Sequence, residues 1–413
     1  MAVSVFGIGY FGPHPVPHPN PSPVASLVAQ KATPAAPSAV PTASPSEPIR
    51  DTTNPLDGLL HLTPLASQIK ESWLPGQVST QSMAVVGGRL FYVVDGDRIQ
   101  ATDLGSDNIR QTLVTVPQCQ GINQLAAAGH ELAYVVTSPG GSASQVAGCG
   151  AGTTVDWSVW LLDLNGGRPR QVANGSREAS SIYEAEFPTH VAITPSAYAF
   201  DRPPSSAAAG LGEGVEVHSI DGHLLWTSKT ARPVAEVMLG GGTLAMLTDV
   251  VTHADGWLDL WRSDAANPVP HRVDGPASSA SISQDGAYLT WDLPPVVVRP
   301  AFLPQPVVGI EKLDPGTIDF PTTLTRSDKP VARHAAVSST PRGLVMAWLA
   351  TAPEGDVYPA FRYVAGGVGA ILPSLQQPFW LNIEGGTLTW VAESSDGWSK
   401  EAFAIDLSGL EIR

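Results

Sequence analysis

Cysteine and charge are both scarce in this chain of 413 residues. Two cysteines are present, and charged residues make up 15% of the sequence. The 23 Lys and Arg residues form no cluster and are outnumbered by 38 Asp and Glu residues, which gives a formal net charge of −15. A chain of this charge repels polyanions, so we expect no nucleic-acid partner.

Long apolar runs are missing too. No stretch of about 18 apolar residues occurs, so the sequence encodes no complete transmembrane helix. Residues 1–12 are apolar and uncharged, but they are too short to span a bilayer and lack the basic start of a signal peptide. Two interpretations stay open: the end of a membrane segment that begins upstream, or an unstructured start.

Enzyme signatures are the third absence. Gly-x-Ser-x-Gly, Walker, dinucleotide-binding and HExxH patterns do not occur. The sequence therefore indicates no catalytic residue, no metal site and no cofactor. An enzyme is the less favoured interpretation.

Proline is abundant instead, with 38 residues, and it divides the chain in two. Prolines occupy every second position from Pro13 to Pro23 and recur up to Pro48 among Ala, Ser and Thr. Proline fixes φ and removes a backbone donor, so neither a helix nor a central strand persists there. We predict a disordered linker over 1–57, after the apolar start, and a folded domain over 58–413. This order is typical of proteins tethered to a cell envelope.

One apolar pattern recurs seven times after residue 82: a tight turn, usually with Gly, and then a strand with a bulky residue. The bulky residues are Tyr92, Tyr134, Phe200, Met246, Trp291, Trp348 and Trp390. In most units a strand ending in Asp-Leu or Leu-Asp and a short fourth strand follow. Each unit of about fifty residues therefore predicts four short strands.

Such units predict an all-β fold, a seven-bladed β-propeller of four-stranded antiparallel blades, because radial repetition buries each sheet against its neighbours. The segment SISQDGAYLTW at 281–291 resembles the Ser-x-Asp-Gly signature of the TolB-like and WD40-like β-propeller superfamily. This resemblance implies the fold and leaves the function open, since propellers host unrelated activities.

Two points of the architecture stay open. Six blades are the alternative, because the unit at 279–325 is irregular and rich in proline. The strand that completes the last blade comes either from the segment 58–79 or from GLEIR at 409–413.

The connections between predicted strands differ in length on the two faces of the ring. Those on one face are tight turns, whereas the other face carries the long connections 138–155, 201–213, 249–256 and 293–305. Binding residues tend to lie on variable loops of a rigid scaffold. Cys119 and Cys149 both fall on the long-loop face, and we predict a disulfide between them, which indicates an oxidising compartment.

Four Asp–aromatic pairs on this face are the candidate ligand-binding residues. They are Asp156 with Trp157, Asp255 with Trp257, Asp356 with Tyr358, and Asp396 with Trp398. An aromatic ring beside a carboxylate can stack on a sugar or hold a cation. The alternative is a turn residue followed by an aromatic ring packed between blades.

The preferred functional hypothesis is an extracytoplasmic scaffold, secreted or envelope-associated, that binds a protein or an envelope glycan through the long-loop face. The alternative is a polysaccharide hydrolase or lyase that uses paired carboxylates near the central channel. The sequence indicates no oligomeric state.

Overall fold

A computed structural model of the chain describes residues that are almost all in β-strands. The described residues are 60–64, 66–74, 78–106, 110–138, 149, 154–178, 189–203, 214–228, 234–248, 257–262, 271–272, 279–293, 297–298, 301–302, 307–314, 317–318, 322–326, 336–351, 356–363, 368–373, 376–394 and 400–410. The linker predicted over 1–57 lies outside them, so it stays a prediction.

The strands are short and follow one another closely along the chain. In order they are β1 (Leu60–His61), β2 (Ile69–Leu74), β3 (Val78–Val86), β4 (Arg89–Val94), β5 (Arg98–Asp103), β6 (Arg110–Thr115), β7 (Gly121–Ala128), β8 (Glu131–Ser138), β9 (Thr154–Asp163), β10 (Arg170–Glu178), β11 (Val191–Ile193), β12 (Ala197–Arg202), β13 (Gly214–Ser219), β14 (Leu224–Ser228), β15 (Val234–Gly240) and β16 (Thr243–Thr248). They continue as β17 (Trp257–Arg262), β18 (His271–Arg272), β19 (Ser279–Ile282), β20 (Tyr288–Leu293), β21 (Val297–Val298), β22 (Ala301–Phe302), β23 (Val307–Asp314), β24 (Thr317–Ile318), β25 (Thr322–Arg326), β26 (Ala336–Thr340), β27 (Gly343–Thr351), β28 (Val357–Tyr363), β29 (Gly369–Ile371), β30 (Pro378–Glu384), β31 (Thr387–Glu393) and β32 (Lys400–Asp406). Two single-turn 3-10 helices, Ala66–Gln68 and Leu407–Gly409, accompany them.

The described strands form seven sheets of four or five strands, which we call blades 1 to 7. Blade 1 is β3–β6, blade 2 is β7–β10, blade 3 is β11–β14, blade 4 is β15–β18, blade 5 is β19, β20 and β23–β25, blade 6 is β26–β29 with β1, and blade 7 is β30–β32 with β2. Apart from β1, which pairs in parallel, neighbouring strands are antiparallel. The proline-rich unit at 279–325 forms a sheet of its own, with β21 and β22 as a small extra hairpin.

The blades are arranged in a ring. The first strand of each blade contacts the first strand of the next blade, and β30 of blade 7 contacts β3 of blade 1. These first strands therefore surround a central channel. The all-β propeller predicted from the repeat is confirmed.

Apolar layers between neighbouring blades hold the ring together. The bulky residue of each repeat lies in the second strand of its blade and is at most 2% exposed, as shown by Tyr92, Trp291 and Trp390. One apolar cluster joins blades 1 and 2 through Phe91 and Tyr134, and another joins blades 7 and 1. Further clusters join blades 2 to 5 in turn and blades 6 and 7, so the described sheets of blades 1, 2, 3, 4 and 7 are apolar on both sides.

The N-terminal strand β2 completes blade 7. It pairs with β32 from Ile69 opposite Ile405 to Leu74 opposite Lys400, and Leu74 is fully buried. Of the two closing strands considered from the sequence, the segment 58–79 is therefore correct, and GLEIR forms no strand in its described residues. The same segment also adds β1 to the edge of blade 6.

Candidate functional site

The longest connections between strands leave the blades on one face of the ring, whereas those on the opposite face have at most eight residues. The second strands of blades 2, 3, 4 and 5 are followed by the connections 139–153, 203–213, 249–256 and 294–306. Two-residue turns such as 129–130 and 385–386 join first to second strands on the opposite face. We call these the long-loop face and the short-turn face.

A disulfide joins two connections on the long-loop face, as the sequence predicted. The Cα atoms of Cys119 and Cys149 lie 5.3 Å apart, and their Sγ atoms are bonded at 2.02 Å. Cys119 belongs to the crossover between blades 1 and 2, and Cys149 belongs to the connection after β8. The bridge therefore fastens a long connection to the rim of the ring.

The first predicted pair, Asp156 with Trp157, is divided between the surface and the interior. Asp156 is exposed on β9 and accepts a hydrogen bond of 2.5 Å from the Ser176 hydroxyl. Trp157 is 4% exposed and belongs to the apolar layer between blades 2 and 3. Gly175 lies opposite Trp157, and a Cβ there would lie 2.5 Å from the indole ring. Of this pair, Asp156 is the residue that a ligand can reach.

The second described pair, Asp356 with Tyr358, lies at the start of β28. Asp356 is exposed and Tyr358 is half-buried. The Tyr358 hydroxyl donates a hydrogen bond of 3.4 Å to Asp356 Oδ2. The structure therefore places this carboxylate and this phenol side by side on the long-loop face.

The other two pairs lie largely outside the described residues. Asp255, Asp396 and Trp398 are not among them, and Trp257 is described only as the first backbone position of β17. Their role as ligand-binding residues stays a prediction.

A polar cleft on blade 2 surrounds Asp156. It has a volume of about 380 Å³, and its polar lining is Gln120, Thr137, Ser138, Asp156, Ser158, Gln171, Asn174 and Ser176. Gln120 directly follows the disulfide residue Cys119. Sequence reasoning missed these residues except Asp156. For the residues on β9 and β10, the signal that could have found them is the alternation of polar side chains at 154, 156 and 158 and at 174, 176 and 178.

The central channel is the second described cavity, with a volume of about 300 Å³. Small apolar residues of the first strands dominate its lining, together with Ser281, Trp380 and Asn382. Glu236 is the one carboxylate among the described residues that line it.

Asp201, another aspartate at the long-loop face, is buried instead of exposed. It is 4% exposed, and its carboxylate accepts hydrogen bonds from the His190 backbone N–H at 2.5 Å and from the Thr189 hydroxyl at 3.3 Å. The His190 Nδ1 atom lies 3.2 Å from the same carboxylate. These contacts tie the start of β11 to the end of β12, which is a structural role.

Two kinds of feature are absent from the described part of the chain. It contains no helix long and apolar enough to cross a membrane. It also contains no group of three or more His, Cys, Asp or Glu residues placed to hold a metal ion.

Comparison with known proteins identifies the fold. No family model and no curated protein matches the chain. Among solved structures, the WD40 domain of Pan2 from Neurospora crassa aligns with a TM-score of 0.50 at 10% identity, over 85% of this chain and 99% of that chain. A prolyl endopeptidase aligns with a TM-score of 0.52 at 12% identity, over 83% of this chain and 48% of that chain. The chain thus has a WD40-like β-propeller fold, and identities this low show the fold alone.

Proposed function

We propose that this protein is an extracytoplasmic binding scaffold, secreted or envelope-associated, that holds a protein or an envelope glycan on its long-loop face. The observation that carries the proposal is that all connections of more than eight residues lie on the long-loop face. A closed ring of buried sheets is rigid, so loops on one face of it can present a preformed surface. The WD40-like fold of the chain is compatible with this role and does not select it.

The compartment in this proposal rests on the disulfide. Cys119 and Cys149 account for both cysteines of the chain, and they pair with each other. Disulfides persist in secreted and envelope proteins and are rare in reducing compartments. The composition of the linker 1–57 adds support, since a proline-rich spacer separates a folded domain from an anchoring point.

The polysaccharide hydrolase or lyase stands second. That chemistry needs two carboxylates about 5–10 Å apart beside the scissile bond. The described channel lining contributes Glu236 alone. A binding role needs no such pair and agrees better with the described residues.

Capture experiments with matched surface variants test the proposal. The full chain is used as bait against envelope and secreted fractions and on a glycan array, and a panel of polysaccharides is assayed for turnover. We expect a partner whose binding is lost in Asp156→Lys or Asp356→Lys on the long-loop face. Binding should survive Asp103→Lys and Asp221→Lys, which alter exposed aspartates on the short-turn face.

Two outcomes would reject the scaffold role. One is turnover of a polysaccharide with no stable partner in either screen. The other is a partner that is lost with the short-turn variants and kept with the long-loop variants.

A further inference from the structure

The polar cleft on blade 2 is built from aligned rows of side chains. Ser138, Asp156 and Ser176 occupy directly opposed positions on β8, β9 and β10. Opposed residues of neighbouring strands point to the same face of a sheet. One face of the blade therefore presents a carboxylate between two hydroxyl groups.

The same face of the blade carries two further rows, which lie farther from the long-loop face than the first row. Ser158 lies opposite Asn174, and Trp160 lies opposite Gln171. The half-buried Trp160 stacks on Tyr134 with their ring centroids 6.3 Å apart, and its Nε1 donates a hydrogen bond of 2.8 Å to the Ser158 hydroxyl. The Ser158 hydroxyl can accept this hydrogen bond and still donate its own hydrogen to a ligand in the cleft.

The charge of the cleft selects the class of ligand. Among the described residues that line it, none is Lys, Arg or His, so phosphate, sulfate and uronate groups would meet no counter-charge. Asp156 is its one carboxylate and already accepts from Ser176, whereas calcium takes 6–8 oxygen ligands. Hydroxyl, amide and carboxylate groups together suit a neutral ligand rich in hydroxyl groups.

The disulfide positions one wall of this cleft. Cys119 directly precedes Gln120, which lines the cleft, and Cys149 holds the connection that follows Ser138. Because this wall is already ordered before binding, a ligand loses less binding free energy to ordering the site. A volume of about 380 Å³ lies within the range of small-molecule sites.

We propose that this cleft binds an uncharged sugar residue of a glycan, with Asp156, Ser158 and Asn174 as hydrogen-bonding groups. The inference rests on the proposed scaffold function and specifies the site and the ligand class within it. Asp156 accepts hydrogen bonds from sugar hydroxyls, Ser158 donates one, and the Asn174 amide does both.

The test is direct binding of the full chain, with its disulfide intact, to an array of uncharged hexose and pentose oligosaccharides. Uronic-acid and sulfated oligosaccharides serve as charged comparators. We expect an uncharged oligosaccharide to bind. In calorimetry, Asp156→Asn and Asn174→Ala should each raise its Kd about tenfold.

Asp221→Asn is the matched control. Asp221 is exposed on the short-turn face and accepts a hydrogen bond from the Ser219 hydroxyl, as Asp156 does from Ser176. This variant should leave the Kd unchanged, and thermal melts should show that all variants are folded. The protein is produced in a host without N-glycosylation, because Asn174-Gly175-Ser176 matches an acceptor sequence.

The outcomes separate this inference from the scaffold proposal. Binding of charged oligosaccharides alone, or neutral binding that survives both cleft variants, overturns the inference and leaves the scaffold role standing. Capture of a protein partner with no sugar bound does the same. Absence of any glycan or protein partner overturns both.

Discussion

At the scale of single residues, glycines let the backbones of blades 4 and 5 approach each other closely. Gly286 has a φ of +72°, and a Cβ there would lie 2.0 Å from the Gly240 carbonyl oxygen. A Cβ at Gly240 would lie 2.1 Å from the Ser283 carbonyl oxygen. Glycine is required at both positions because backbone atoms occupy the space that a side chain would need.

Gly286→Ala should therefore lower the free energy of unfolding by about 3 kcal/mol, since the two blades must move apart. Gly385→Ala is the control: Gly385 has a φ of +56°, but nothing lies within 4 Å of its Cβ position. That change should lower stability by only about 1 kcal/mol, from backbone strain alone. Denaturant unfolding measures both, and equal losses would contradict the close approach.

The Asp285 carboxylate stabilises the turn between β19 and β20, which carries the Ser-x-Asp-Gly signature. Its carboxylate accepts hydrogen bonds from the Ser283 hydroxyl at 2.5 Å, the Ala287 backbone N–H at 3.0 Å and the Ser339 hydroxyl of blade 6 at 2.8 Å. Burial opposes ionisation of Asp285, but these hydrogen bonds outweigh it and hold its pKa below the ordinary value. Glu384 differs, because burial raises its pKa more than the Gly87 N–H lowers it.

These two carboxyl groups should respond to pH with opposite signs. A lowered folded pKa adds stability that is present above the unfolded pKa of about 3.9 and is lost as the pH falls through the folded pKa. Asp285→Asn should therefore lower stability at pH 7, by about 1 kcal/mol, and its effect should shrink as the pH falls below about 3.9.

Glu384→Gln should raise stability at pH 7, because a raised pKa makes the ionised carboxylate unfavourable in the folded state. Its effect should also vanish below the unfolded pKa of about 4.3. Urea unfolding from pH 3 to pH 7 measures both variants. A stabilising Asp285→Asn or a destabilising Glu384→Gln at pH 7 would contradict the assignment.

At the scale of elements, the disulfide connects the crossover after β6 to the connection after β8. It closes a loop with a sequence separation of 30 residues. In the chain-entropy model, a loop of this length stabilises the folded state by about 3–4 kcal/mol.

Reduction, or the double change Cys119→Ala with Cys149→Ala, should therefore lower the Tm by about 5 °C. The reducing agent should have no effect on the double variant, which serves as the control. Two titratable thiols in the native, unreduced protein would contradict the bridge.

At the scale of the whole molecule, β2 joins the two ends of the ring. Besides pairing with β32, it contacts blade 1: the Ser72 hydroxyl accepts from the Gly105 N–H at 2.9 Å, and the Arg110 guanidinium lies 4.2 Å from the Trp73 ring centroid. Blade 7 therefore depends on a strand that comes from the other end of the domain.

Shortening the chain to 78–413 should lower the Tm by at least about 10 °C, because β32 loses its partner strand and the Leu74 layer is uncovered. Shortening it to 58–413 keeps β1 and β2 and should leave the Tm unchanged, as expected for a linker over 1–57. Calorimetry of the two shortened chains separates these effects. Equal Tm values for both would contradict closure by β2.

The predictions from sequence succeeded where the signal was local and repeated. Tyr92, Trp291 and Trp390 recur at the same point of a turn-strand pattern, and each lies in the buried second strand of its blade. The cysteine pair was predictable because successive connections of a four-stranded blade lie on alternate faces of the ring. Counting the connections places Cys119 and Cys149 on the same face. Strand period and turn chemistry act over a few residues, so the sequence shows them directly.

Features that depend on distant residues were decided by the tertiary structure. The pairing of 69–74 with 400–406 joins segments with no sequence relation, so two closing strands were equally compatible with the sequence. Trp157 beside Asp156 has the pattern of a rim residue, but Gly175 on the next strand gives its ring space inside the blade. The sequence alone determined a ring of four-stranded units. Packing between strands determined which strand closes it and which side chains meet in the blade 2 cleft, because those contacts form only after the sheets are assembled.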